Sequence, residues 1–285
     1  MLIIVCTAGC GETSPPEIPD LSKAAGTIIV EEDYFNAYIV MAVDYLYENY
    51  GLLGYDIDSE LTHDIGYGDQ GTIFQRGEEG KTMCVAAVME VILTACELYA
   101  QETGDHAPYD FLPKQSWENL GDNDIKAHIW VDHALNAYGT ADALINFGMG
   151  EAIPFEALIP GSFININRTT GTGHAVVFIS FVDMNGIEYE RYPENTPIIG
   201  FKYFSSQGGS APGEGGFDYR YAIFSVFHES AFCNLHSGVC DEKGIPVMPY
   251  KRDIHVIYST NPHYFNTGMM LHPDGWHHTP SHNQY

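Results

Sequence analysis

Gly80-Lys81-Thr82-Met83-Cys84, running into Val85-Ala86-Ala87-Val88-Met89-Glu90-Val91-Ile92-Leu93-Thr94-Ala95-Cys96, is the stretch on which the reading of this chain turns. Glycine permits a turn, Thr82 is a candidate N-cap, and Cys84 falls in the first turn of the helix that follows. Val85, Val88, Met89, Ile92, Ala95, Cys96 and Tyr99 recur at three- and four-residue steps, the spacing of one helix face. The opposite face offers only Glu90, Thr94 and Glu97 to water, so the helix reads as a core element. A thiol at its start meets unpaired N–H groups and the positive end of the helix dipole, which favour the thiolate. The competing reading is a small, inert core hydrophobe.

Upstream, Met1 to Cys10 is a short apolar run ending Thr7-Ala8-Gly9-Cys10. It resembles the tail of a bacterial lipoprotein signal, which makes Cys10 a candidate for lipidation; the alternative is a buried N-terminal strand. Residues 11–26 are rich in Pro and Glu and suit a tether. The domain proper is expected over 27–262. Its first helix is expected from Asp33 to Tyr50, stopped by Gly51. Residues 51–80 read as a long irregular approach to the Cys84 helix, where Gln70 and Gln75 are candidate oxyanion donors. A second amphipathic helix is expected over Asp124–Tyr138, and a shorter one from Thr140 to near Gly148. His128 and His133 stand five apart on the former, off a common face, and read as structural.

From residue 151 the texture turns to strands. Pro160-Gly161 precedes the alternating Ser162-Phe163-Ile164-Asn165-Ile166-Asn167, and Thr169-Thr170-Gly171-Thr172-Gly173 is a loop. His174 then opens the continuous apolar run to Val182, the pattern of a buried central strand. Ile198–Phe204 is a further strand ending Ser205-Ser206-Gln207, then a glycine-rich loop over 208–216 and another strand from Phe217 to Phe227. If the strand from Ile198 returns antiparallel, Ser205 or Gln207 meets the imidazole of His174 and orients it. A thiolate, an imidazole and an orienting polar group are what nucleophilic acyl transfer requires.

Taken in order, the Cys84 helix, PGSFININ, TGTGHAVVFISFV and FSSQG resemble the papain-like cysteine peptidase and amidase superfamily. The closer likeness is to its bacterial NlpC/P60 and CHAP branch, over roughly residues 70–225. The resemblance implies an α+β papain-like fold, with N-terminal helices packed on an antiparallel sheet. It implies Cys84 as nucleophile, His174 as base and acid, and Ser205 or Gln207 as third member, beside the Gln75 oxyanion candidate read from the approach segment. It also implies hydrolysis of peptide or peptidoglycan amides with no cofactor. Here a serine or glutamine stands where such enzymes more usually carry Asn, His or Asp, and no aromatic residue directly follows the cysteine.

Composition sets outer bounds. The 285 residues carry 38 acidic and 12 basic side chains, a formal net charge of -26. With no basic cluster, nucleic acid is not an expected partner. The acid excess is spread along the chain, as on a surface solvated in salty water. No stretch reads as approaching the eighteen or so apolar residues of a membrane span, so a membrane is expected only through a lipid anchor. Cys233 and Cys240 bracket a short loop that suits a disulfide in an exported protein; free thiols, or a metal pair with His236, are the alternatives. Asp253–Tyr258 is the last expected strand. Residues 263–285, with His272, His277, His278 and His282 around Trp276, read as a disordered tail or a transition-metal ligand set. Two functions are carried forward: an exported cysteine amidase, and a non-catalytic surface lipoprotein that binds cell-wall peptides or a protein partner.

Overall fold

The computed structural model describes residues 29–58, 61–66, 68, 71–111, 131–132, 137–167, 173–224, 254–257 and 265–277. The chain is mixed α and β, as expected. Its helices are α1 (Asn36–Tyr50), α2 (Cys84–Thr103), α3 (Ala107–Phe111) and α4 (Thr140–Asn146). Two small hairpins pair β1 (Ile65–Gly66) with β2 (Thr72–Phe74) and β3 (Val131–Asp132) with β4 (Ala137–Tyr138). The main sheet holds β5 (Gly150–Ala152), β6 (Phe163–Asn167), β7 (Gly173–Asp183), β8 (Glu188–Tyr189), β9 (Ile198–Gly208), β10 (Gly215–Phe224), β11 (Ile254–Ile257) and β12 (Phe265–Met270). Its order is β11-β10-β9-β7-β6-β12-β5, with β8 added to β7. Every pairing is antiparallel except β10 with β11.

Helix α2 is the core helix its pattern announced. Sixteen of its side chains are buried, and it stops where Gly104 takes a left-handed φ of 72°. Its length and apolarity also suffice for a membrane span, against the reading from sequence. Here, however, the helix is packed inside the protein, between α1 and the sheet. The sheet contributes Phe163, Ala175, Val177, Phe204 and Phe217 to the buried cluster that holds α1 and α2. The other sheet face has a core of its own, with Ile164, Ile166, Val176, Phe178, Phe181, Phe201 and Tyr203. The sheet is thus apolar on both sides, which is why the run from His174 to Val182 shows no alternation.

Two expectations are corrected. The helix over Asp124–Tyr138 does not reach its expected end, because 131–132 and 137–138 are paired as strands; the rest of that range lies outside the described residues. The tail begins with β12, which sits inside the sheet between β6 and β5, and Trp276 packs against the core. Helix α1 ends at Tyr50 with Gly51 as its C-cap, as expected; Gly51 is extended there, and its N–H donates to the Tyr47 carbonyl.

Candidate functional site

Cys84 is the first residue of α2, as the sequence suggested, but Thr82 does not cap it. The N-cap is Met83, whose backbone is extended and whose sulfur accepts the Ala86 N–H at 3.5 Å. Thr82 is fully buried and its hydroxyl donates to the Met83 carbonyl at 3.4 Å. The Thr82 carbonyl in turn accepts the Ser206 hydroxyl at 3.0 Å, which fixes the helix start against β9. Cys84 is 4% exposed. Two effects therefore oppose each other at the sulfur: the helix N-terminus favours the thiolate, and burial disfavours it. The nearby Tyr55 phenol is pushed up to about 12, first by burial and then by the negative charge a Cys84 thiolate would carry. Cys96, three turns further along, is pushed to about 12 by burial alone.

His174 belongs to the other side of the sheet. It stands opposite Ile166 in the β6–β7 register, and its ring meets the Tyr203 ring edge-on with centroids 5.5 Å apart. Ile166 and Tyr203 both lie in the core on the face away from α2. The neighbours Ala175 and Val177 point the opposite way, into the α2 cluster. Strand alternation allows no other arrangement. The expected sharing of one cleft by Cys84 and His174 is therefore corrected: the sulfur's helix and the imidazole flank opposite faces of the sheet.

The other two members of the expected constellation do lie on the face of His174. Tyr203, Ser205 and Gln207 alternate on one side of β9, and Asp218 and Arg220 join them from opposite positions on β10. All are buried, at 6% exposure or less. Ser205 and Gln207 bond elsewhere than to the imidazole. Ser205 donates to the Ala175 carbonyl at 2.7 Å, the Gln207 side chain bonds the Tyr203 hydroxyl, and an Arg220 guanidinium N–H donates to the Gln207 carbonyl at 3.2 Å. These bonds tie the row to itself and to the sheet backbone, as buried polar groups require.

Gln75, the oxyanion candidate, follows β2 and is exposed, whereas Cys84 is buried. Gln70, Cys10, Cys233, Cys240, His236, His278 and His282 lie outside the described residues. His272 caps the 3-10 turn Pro273–Gly275, its ring accepting the Asp274 N–H and packing against Tyr99. Among the described residues, no three His, Cys, Asp or Glu side chains are grouped to hold a metal.

One cluster escaped the sequence reading. Glu90, expected on the solvated face of α2, is fully buried. Its carboxylate accepts the Thr62 N–H at 3.1 Å and the Thr62 hydroxyl at 2.6 Å, with His63 Nδ1 3.0 Å away. His63 stacks on Tyr50 at 4.2 Å and 11°. The available signal was a Thr-His pair in the approach segment, facing a glutamate in an otherwise apolar helix. No family model, no curated protein and no solved structure matches this chain.

Proposed function

We propose that this chain is a non-catalytic binding protein, exported and held at the cell surface, that takes up cell-wall peptides or another peptide partner without cleaving them. The observation that supports this is the register of β7. A Cys–His hydrolase needs sulfur and imidazole within hydrogen-bonding reach. Turning His174 toward α2 would require a one-residue slip of β7, and that slip would also reverse Ala175 and Val177 out of the α2 core. Peptides as ligands follow from the resemblance of the sequence pieces alone, and export from residues 1–26. The test is to incubate the purified protein with muropeptides, following binding by calorimetry and products by mass spectrometry. Binding with no new amine, unchanged in Cys84→Ala, is expected. Amine release by the wild type that Cys84→Ala abolishes would overturn the reading.

That second outcome belongs to a papain-like cysteine amidase with Cys84 as nucleophile. The position of Cys84 as the first residue of a 20-residue helix favours it. In that reading the base is not His174 in the present register, so a pH–rate profile unaltered by His174→Ala accompanies the activity.

A further inference from the structure

The segment 51–58, just after α1, has no regular secondary structure, yet both of its sides are tied down. On one side the N–H groups of Leu52, Gly54 and Tyr55 donate to the carbonyls of Phe217, Gly215 and Gly209 at 3.2, 2.7 and 3.1 Å. On the other, Tyr55 forms a backbone bridge with Thr82, and the Asp56 N–H reaches the Thr82 carbonyl at 3.4 Å. Thr82 lies two residues before Cys84, so the segment crosses the first turn of α2 as a strap. A few residues on, Thr62 and His63 clasp Glu90 on the same helix.

The strap is held differently from the core beneath it. Its side chains are half-buried or exposed: Tyr55 packs against the edge of the core, and Ile57 is 63% exposed. Backbone hydrogen bonds, the half-buried Tyr55 ring and the clasp just beyond its end hold it, whereas α2 is anchored by a continuous apolar cluster. A segment with few buried apolar contacts opens at much lower free energy than a core helix. Its seat on the glycine-rich loop is close-fitting: Gly54 has φ 115°, and a Cβ there would lie 2.8 Å from the Ser210 carbonyl oxygen.

We propose that residues 51–58 form a lid over Cys84, closed in this structure and latched by the Thr62–Glu90 clasp and the Gly54 seat. Opening the strap exposes the sulfur while α2 stays packed. The lid goes beyond the binding reading and bears on either function. It keeps the thiol inert in a binding protein, and it is what must move before Cys84 meets any substrate.

The test reads neither binding nor hydrolysis, so its failure is separate from failure of the functional reading. The full chain is alkylated with iodoacetamide, and Cys84 and Cys96 are followed separately by peptide mass spectrometry. Two variants loosen the two attachments: Thr62→Val removes the hydroxyl donated to Glu90, and Gly54→Val clashes with the loop. The lid predicts that Cys84 alkylates about ten-fold faster in at least one variant while Cys96 keeps its wild-type rate. No acceleration in either variant, or acceleration that Cys96 shares in both, would overturn it.

Discussion

Glu90 shows how much one side chain decides. A carboxylate with no exposed surface is tolerable only because Thr62 supplies two donors and His63 a third nitrogen at 3.0 Å. Removing the carboxylate leaves those donors buried without an acceptor. Glu90→Ala is therefore expected to cost about 3 kcal/mol of stability in urea unfolding; a cost within the scatter of ordinary surface substitutions would contradict the clasp. Two turns on, Glu97 has its carboxyl pKa raised by burial, with His63 pulling it back. The folded state then binds a proton more readily than the unfolded chain. Glu97 thus weakens the fold at neutral pH, and the weakening fades as pH falls through the raised pKa toward the ordinary carboxylate range. Glu97→Gln should melt above the wild type at neutral pH, with the gap closing on acidification; a gap that widens would refute the assignment.

At the scale of elements, β12 carries the sharpest prediction. It joins β6 to β5 through the pairs Phe265–Ile166 and Gly268–Ala152, so ending the chain before Phe265 severs one edge of the sheet. Such a truncation should lose cooperative thermal unfolding; a truncated chain that still melts cooperatively at the wild-type temperature would return these residues to the status of a tail. The sequence hid this strand because Phe265-Asn266-Thr267-Gly268-Met269-Met270 neither alternates nor forms an apolar run, and its partners lie a hundred residues away. The period of α2 was legible, since sixteen buried side chains in one helix leave little room for polar residues. The strands β6, β7, β9 and β10 were legible too, from β-branched and aromatic runs bounded by glycine. What the residues could not tell was which face His174 takes. A strand buried on both sides carries no alternation, and a shift of one residue exchanges its faces. Cys84 and His174 were each found in the expected element, while the relation between them depended on a register that no local pattern encodes. Glu90 was misread for a similar reason: its partners come from an irregular segment whose contacts have no sequence period.

For the molecule as a whole, two facts set the behaviour. With 38 acidic side chains against 12 basic, the surface repels itself, and added salt screens that repulsion beyond about 10 Å at 0.1 M. The melting temperature should rise between low and moderate sodium chloride; a fall would show that specific ion pairs outweigh the net charge. The second fact is the sheet itself, a layer with a separate core on each face. It keeps the helix that bears Cys84 apart from the buried polar row of His174, Tyr203, Gln207 and Arg220. The separation bears directly on thiolate formation, because an imidazolium at hydrogen-bonding distance lowers a thiol pKa by about one unit or more. The decisive measurement is the alkylation rate of Cys84 against pH, in the wild type and in His174→Ala. Superimposable profiles are predicted, because the ring and the sulfur flank opposite faces. A midpoint that moves up by about a pH unit when the imidazole is removed would mean that the two meet, and would contradict the account.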